Sequence, residues 1–280
     1  MDWLDAVVKL RERNEPGVVA TLAQVRGHAP RNPGAKLVIS LHETWGSIGG
    51  GNFEASVIDR ARELIKAGTG SSELVAFALN DKAPATHGVQ CCGGEVNVLL
   101  DVLNPRRTVA IFGIGHVGYE IAHILARQPL NLLLVDSRPE ALTADRIQPL
   151  MTGPATTTVH LEPAPEIVLR DLPPGATVLV LTHDHAEDLL ICEAALGARP
   201  CYIGLIGSRS KWLRFRKKLQ DEGHGDSEID RITCPIGLPS IAGKDPAAIA
   251  IGVAADLLAR WENPAVAAGA PGQPATTRLS

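Results

Sequence analysis

Several features that would assign this chain to a familiar class are missing. It has five cysteines, an odd number, and they lack the spacing of a disulfide framework or a zinc knuckle. No run approaches the roughly 20 apolar residues that a membrane-spanning helix needs. The charged opening stretch, MDWLDAVVKLRERNEP, does not resemble a signal peptide. These absences predict a cytoplasmic protein with free thiols.

Aromatic residues and excess positive charge are also scarce. The net charge of −4 argues against a nucleic-acid-binding protein. Aromatics make up only 4% of the chain, so the cores must be built from Val, Ile, Leu and Ala. With 280 residues, 45% of them hydrophobic, the chain is long enough for two domains of ordinary size.

The order of apolar patterns predicts an α/β protein with two domains. Residues 1–103 read as a mixed α+β domain, with an opening helix, four strands and a helix after a glycine loop. After a polar hinge at 104–107, strands alternate with helices to residue 262, which is typical of a parallel sheet covered on both faces. The small, Pro-rich stretch 263–280 reads as a disordered tail.

The stretch AIFGIGHVGYE contains the G-x-G-x-x-G pattern of dinucleotide-binding folds. Gly113 permits the tight turn, Gly115 lets a phosphate approach the backbone, and Gly118 allows close helix packing. Asp136 ends the following strand, where an acid accepts hydrogen bonds from ribose hydroxyls. Strand, helix and acid together predict a Rossmann-like fold, but a fold does not fix the ligand.

Arg138 follows this acid and has two readings. It could accommodate an extra phosphate, or it could be a surface arginine that begins the next loop. The sequence leaves both open.

The stretch LTHDHAED follows a later strand of the same sheet. His183, Asp184 and His185 are expected at the ligand-facing edge of such a sheet, or at a helix cap. His183 and His185 together with Asp188 also imitate the start of a metal signature, although no further histidine completes it.

The stretch IGSRSKWLRFRKKL supplies another strand-to-helix turn. Ser208 can cap the helix, and Arg209, after Gly207 and Ser208, could clamp an anion. The basic residues from Lys211 onward read as a solvated helix face.

The stretch WGSIGGGNFE offers a second glycine loop. Gly49 and Gly50 could present amides to a phosphate, although the Lys-Ser/Thr of a Walker sequence is missing. The alternative is a tight turn with Asn52 as the helix cap. Glu54, in the first turn, would oppose a bare anion.

Cys91 and Cys92 lie side by side in the glycine-rich stretch GVQCCGGEV. Free cysteine is most often small buried filler. In a loop, however, a thiolate of lowered pKa can be a soft ligand or a sulfur acceptor.

Together these stretches resemble the xanthine dehydrogenase accessory factor family, XdhC/CoxI. The passages that carry the resemblance occur in the family's order and reach across nearly the whole predicted folded chain. They are RGHAPRNPGAKLVI, GSIGGGNFE, QCCGGEVNVLLDVL, IFGIGHVG with VDSR, and LTHDHAED with YIGLIGSRSK and IGLPSIAGKDPAAIAI. The resemblance implies an XdhC/CoxI domain followed by a Rossmann domain. It also implies a chaperone, with no turnover of its own, that binds the molybdenum cofactor (molybdopterin), protects it during sulfuration and delivers it to xanthine dehydrogenase or a related molybdenum hydroxylase.

Carried over to this sequence, the resemblance makes Cys91 and Cys92 candidates for contact with molybdenum or its sulfur. It implies a cysteine desulfurase as a second partner, and a homodimer is the default assembly. The predicted cofactor-binding residues are these two cysteines together with Gly49, Gly50, Gly113, Gly115, His116, Gly118, Asp136, Arg138, His183, Asp184, His185, Gly207, Ser208 and Arg209.

The alternative function is an NAD(P)-dependent oxidoreductase that uses the Rossmann pocket for NAD(P) or another nucleotide. Against it, the chain lacks a Tyr-x-x-x-Lys pair and an obvious base for hydride chemistry.

Overall fold

The computed structural model describes residues 2–68, 70–79, 94–198, 200–241 and 243–262. The chain divides after Arg106 into two compact units. One unit contains an antiparallel sheet and the other a parallel sheet, so the predicted fold class is confirmed. The predicted tail at 263–280 and the cysteine pair lie outside the described residues. Among the helices that are described, none is long and apolar enough to cross a membrane.

The first unit combines two helices with a five-stranded antiparallel sheet of order β3-β2-β1-β5-β4. Its elements are α1 (Trp3–Glu12), β1 (Gly17–Arg26), β2 (Lys36–Ile39), β3 (Thr44–Gly46), α2 (Gly51–Ala67), β4 (Glu73–Ala78) and β5 (Glu95–Leu103).

The sheet of the first unit is covered on both faces, and the side chains of β1 point alternately into the two cores. Val18, Ala20 and Leu22 join the core under α2, whereas Val19 packs with Leu10 of α1. Residues spaced by three or four line the buried face of α2, which explains why this stretch is helical. They are Phe53, Val57, Ala61 and Leu64.

The second unit is a parallel sheet with helices on both faces. Its elements are β6 (Thr108–Phe112), α3 (His116–Leu125), β7 (Asn131–Asp136), α4 (Ala144–Ile147), β8 (Thr156–Leu161), β9 (Thr177–Val180), α5 (His185–Ala198), β10 (Tyr202–Leu205), α6 (Arg209–Asp221), α7 (Asp226–Ile229), β11 (Ile232–Thr233) and α8 (Pro246–Glu262). The sheet order is β11-β10-β9-β6-β7-β8, which is the strand order of dinucleotide-binding folds.

The central strand β6 is buried on both faces. Val109 and Ile111 point into a core shared with α3 and α8, and Ala110 and Phe112 into one shared with α5 and α6. This explains why β6, β9 and β10 are continuous apolar runs in the sequence. The order also places a reversal of direction between β6 and β9, since the chain moves from β6 to one side and returns at β9 on the other.

Candidate functional site

The glycine loop after β6 meets the loop after β9 at this point of reversal. Gly113 has φ 98°, a conformation that favours glycine. A Cβ atom at Gly113 would lie 2.4 Å from the carbonyl oxygen of Leu181. The close approach of the two loops therefore requires glycine here.

The other two glycines of the motif differ in their surroundings. A Cβ atom at Gly118 would lie 1.9 Å from the carbonyl oxygen of Gly113, so α3 packs directly on the loop. Gly115 caps α3 without a side-chain hydrogen bond, and apart from its chain neighbours and the adjoining helix backbone no heavy atom lies within 4 Å of its Cβ position. His116, the first residue of α3, is exposed. The helix N-terminus beside Gly115 is thus open to a ligand.

Asp136 does not face an open pocket. Its side chain is 1% exposed. Oδ2 accepts from the amide of Ile114 at 2.7 Å and from Nη2 of Arg138 at 3.0 Å. Oδ1 accepts from the amide of Arg138 at 3.0 Å and from its Nε at 2.9 Å.

The pair of Asp136 and Arg138 is charged. Burial opposes ionisation of Asp136, but the hydrogen bonds from Arg138 and from the amides outweigh it and hold the pKa of the carboxyl below its usual value. The same hydrogen bonds raise the pKa of Arg138. The two residues form an ion pair at the end of β7.

Arg146 is a residue of this region that the sequence analysis missed. It donates to the carbonyl oxygen of Ile114 at 3.1 Å, and its guanidinium lies 5.2 Å from the centroid of the Tyr119 ring. Arg146 lies in the short helix α4, whose four residues show no periodic pattern in the sequence. Spacing alone could not have found it.

The loop after β9 places its acidic residues in two structural roles. Asp184 accepts from the amides of Ala186 and Glu187 at the start of α5, so the expectation of a helix cap here is confirmed. His183 and His185 are both exposed.

Asp188 is turned inward and has 0% exposure. It accepts from the amide and hydroxyl of Thr182 at 2.9 and 2.8 Å, and it forms an ion pair with Lys211. Within the described ranges no group of three His, Cys, Asp or Glu side chains could hold a metal ion. The metal interpretation of His183, His185 and Asp188 is therefore wrong.

The turn after β10 is also partly as predicted. Ser208 caps α6 by accepting from the amide of Lys211 at 3.2 Å, and Arg209 is exposed in the first turn. Lys211, in contrast, is not on a solvated face. It is 7% exposed, and its Nζ donates to Asp188 and, at 2.9 Å, to the carbonyl oxygen of Ile206. The buried carboxylate of α5 draws this lysine inward.

The glycine loop of the first unit is occupied by the chain's own carboxylate. Glu54 accepts from the amides of Ile48 and Gly50 at 2.9 and 3.0 Å and from the hydroxyl of Ser47 at 2.7 Å. Partial burial opposes its ionisation, but these hydrogen bonds lower its pKa. A phosphate would have to displace Glu54, so a cofactor role for Gly49 and Gly50 stays a prediction.

The cap of α2 also differs from expectation. Gly50, with φ 72°, is the N-cap and makes no side-chain hydrogen bond. Asn52 is therefore not the cap, because the helix begins one residue before it, at Gly51.

Comparison with models of protein families gives two matches. Residues 109–257, more than half of the chain, match the XdhC Rossmann domain. The chain belongs to the XdhC family. Residues 10–77 match the XdhC and CoxI family. Cys91 and Cys92 lie between the two matched stretches and outside the described residues, so their contact with a cofactor stays a prediction.

Curated relatives of this XdhC protein include two from Escherichia coli K12. It is 27% identical to the uncharacterized protein YqeB over 270 residues, which are 92% of this chain but only 46% of YqeB. It is 26% identical to the molybdenum cofactor insertion chaperone PaoD over 272 residues, 86% of this chain and 82% of PaoD. The XdhC chain thus spans less than half of one relative and most of the other.

Two further similarities are weaker. A polypeptide of a probable xanthine dehydrogenase from Bacillus subtilis is 24% identical over 167 residues, which are 58% of this XdhC chain and 45% of that relative. A crystal structure of a xanthine dehydrogenase from Bacillus halodurans has 18% identity and a TM-score of 0.48, over 94% of this chain and 96% of that one. This TM-score is too low to support an argument about fold or function.

The XdhC Rossmann domain therefore brings most of the predicted site residues to one edge of one sheet. The residues at the carboxyl ends of β6, β7, β9 and β10 are Gly113, Gly115, His116, Asp136, Arg138, His183, Asp184, His185, Gly207, Ser208 and Arg209. Gly118 supports the first of these loops from within α3. Gly49 and Gly50 belong to the other unit.

Proposed function

We propose that this XdhC protein binds the molybdenum cofactor and delivers it to xanthine dehydrogenase or a related molybdenum hydroxylase, with no turnover of its own. Its family membership and its similarity to a protein named as a molybdenum cofactor insertion chaperone support this proposal. The similarity to PaoD extends over most of both chains, which favours a shared role over a shared fragment.

The open glycine loop is the observation that carries the proposal. The cofactor ends in a phosphate, and a phosphate suits the free amides at the start of α3 beside Gly115. Gly115 leaves space for it, since no heavy atom lies within 4 Å of its Cβ position. Arg209, exposed at the same edge of the sheet, supplies a cation that could hold the ligand's negative charge.

The metal end of the cofactor needs a soft and shielded environment. Cys91 and Cys92 are the residues that we propose for it, as thiolates that contact molybdenum or guard its terminal sulfur during sulfuration. In the same proposal a cysteine desulfurase supplies the sulfur, and the protein acts as a homodimer in the cytoplasm.

An NAD(P)-dependent oxidoreductase is the alternative from the sequence. No specific contact in the described residues favours it, and nucleotide binding in this pocket stays a prediction.

The test is a cofactor retention and reconstitution assay on the full chain. Molybdenum cofactor released from a donor enzyme is mixed with the protein, freed of unbound cofactor, and added to a hydroxylase prepared without cofactor. We expect the wild type to retain the cofactor and restore hydroxylase activity. A variant with both Cys91→Ala and Cys92→Ala should retain the cofactor at least about tenfold less well than the wild type, which corresponds to about 1.4 kcal/mol of binding free energy.

Cys201→Ala provides the matched control. Cys201 is exposed and its thiol contacts the carbonyl oxygen of Gly175, away from the glycine loop, so this variant should retain the cofactor like the wild type. If neither the wild type nor the Cys201→Ala control retains the cofactor, the proposed function is refuted. Full retention by the variant with Cys91→Ala and Cys92→Ala would refute the role of the thiols alone.

A further inference from the structure

The acid of this Rossmann domain has no acceptor position left for a ligand. In dinucleotide-binding folds the acid at the end of the second strand accepts hydrogen bonds from ribose hydroxyls. Here the two oxygens of Asp136 accept four hydrogen bonds, two from amides and two from the Arg138 guanidinium. A carboxylate offers about four lone-pair positions, so this one is saturated.

Two of the four donors to Asp136 are backbone amides, and the other two belong to the side chain of Arg138. The amides of Ile114 and Arg138 belong to the backbone and stay in place whatever the side chains are. The Nε and Nη2 donors of Arg138 each take one oxygen of the carboxylate. Without the guanidinium, each oxygen would keep one amide and regain one free lone pair.

Those two lone pairs are the acceptors that a vicinal diol needs. A guanidinium edge presents two parallel N–H groups to a carboxylate, as a ribose presents its two neighbouring hydroxyls. We propose that Arg138 takes the place of a ribose diol on Asp136 and so closes the acid end of this pocket to nucleotides that are recognised through their ribose hydroxyls. This inference concerns ligand selection and does not depend on the proposed chaperone function.

The surroundings hold the arginine in this position. The side chain of Arg138 is only 28% exposed. The negative charges of Glu140 and Glu187 both favour the charged guanidinium of Arg138. The carboxylate of Glu187 also accepts from the hydroxyl of Ser137 at 2.8 Å. An incoming diol would have to displace a charged group from a buried countercharge, which neutral hydroxyls do poorly.

Two nucleotides that differ only in the diol test this inference. Binding of ADP and of 2′,3′-dideoxy-ADP to the full chain is measured by titration calorimetry. We expect the wild type to show no preference between them. The Arg138→Ala variant should prefer ADP by at least about tenfold, because both carboxylate oxygens of Asp136 become free to accept from the hydroxyls.

Two further variants make the result specific. Adding Asp136→Asn to Arg138→Ala should abolish the preference, since the charged acceptor is gone. Arg138→Lys keeps the positive charge without the two-pronged geometry, and it should prefer ADP by about threefold even if Arg138→Ala does not fold. Circular dichroism identifies the folded variants. A tenfold preference for ADP in the wild type, or no preference in either Arg138 variant, would overturn the inference.

Discussion

The two glycine loops of this chain look alike in the sequence but differ in structure. Both follow a strand and begin a helix, α2 in the first unit and α3 in the second. In the first loop, Glu54 reaches back to the amides of Ile48 and Gly50. In the second, Asp136 accepts from the amide of Ile114, but the N-cap Gly115 makes no side-chain hydrogen bond and has open space at its Cβ position. The chain's own carboxylate therefore occupies the amides of the first loop, whereas the start of α3 stays a proposed anion site.

The same difference appears in the packing around the glycines. Gly118 has no room for a side chain, because its Cβ atom would overlap the carbonyl oxygen of Gly113. An added Cβ atom at Gly50 or Gly51 would contact nothing within 4 Å, and glycine is favoured at both positions by their positive φ angles instead. The second loop depends on close contact with α3 at Gly118 as well as on the positive φ angle of Gly113. The first depends on the positive φ angles of Gly50 and Gly51 and on one carboxylate.

The largest expected effect comes from removing the close contact in the second loop. Gly118→Ala should lower the free energy of unfolding by about 3 kcal/mol or more, because the new methyl group meets backbone that cannot move aside. Urea denaturation measures it. Gly197→Ala is the control, since no heavy atom lies within 4 Å of its Cβ position in α5, and it should be as stable as the wild type or more so. Equal stability of the two variants would contradict the packing described for Gly118.

The second largest effect is expected from removing the carboxylate that fills the first loop. Glu54→Ala leaves two amides and the Ser47 hydroxyl without their acceptor, so we expect a loss of about 2–3 kcal/mol in the free energy of unfolding. Glu54→Gln keeps an acceptor oxygen without the charge and should lose less than half as much. Denaturation at pH 7 measures both, and an unchanged Glu54→Ala variant would mean that water replaces the carboxylate without cost.

The pH dependence of that loss follows from the direction of the pKa shift. The pKa of Glu54 is lower in the folded chain than its ordinary value of 4.5. Its ionised form therefore stabilises the fold above pH 4.5, and this contribution is lost as the pH falls through the folded pKa. The difference in unfolding free energy between the wild type and Glu54→Gln should be widest at neutral pH and should close in acid.

The smallest expected effect is on cofactor binding. It comes from a substitution that gives the second loop a carboxylate like that of the first. Gly115→Asp adds a carboxylate at an N-cap, where it suits the helix and leaves stability unchanged or slightly raised. The same charge should repel a phosphate and lower cofactor retention by about tenfold, or about 1.4 kcal/mol. Gly115→Ser adds a cap without charge and should retain more cofactor than Gly115→Asp. Equal retention by both variants would place the phosphate elsewhere.

Sequence reasoning located the backbone of the second unit well. The runs that form β6, β9 and β10 are nearly all apolar because every residue in them is buried, and such runs are easy to recognise. The short strand β11 and the edge strand β8 were missed. Thr156–Leu161 has no fully buried residue, so it shows no apolar run.

Side-chain partners were less accessible to sequence reasoning. Asp136 was placed correctly at the end of β7, but its hydrogen bonds depend on the amide of Ile114, 22 residues earlier in the chain. Lys211 lies in a strongly basic stretch that is typical of a solvated surface. Its burial follows from Asp188 on a different helix. Such pairings arise from tertiary proximity, which neither periodicity nor spacing encodes.

Both backbone polar groups of Ile114 are held by side chains, its N–H by Asp136 and its carbonyl oxygen by Arg146. A loop anchored in this way has little conformational freedom left to lose when a ligand arrives. Association at this edge of the sheet would then proceed without a slow rearrangement, and the observed rate would rise in proportion to ligand concentration. Breaking of the contacts with the ligand, and not a reshaping of the loop, would then set the residence time of a bound ligand.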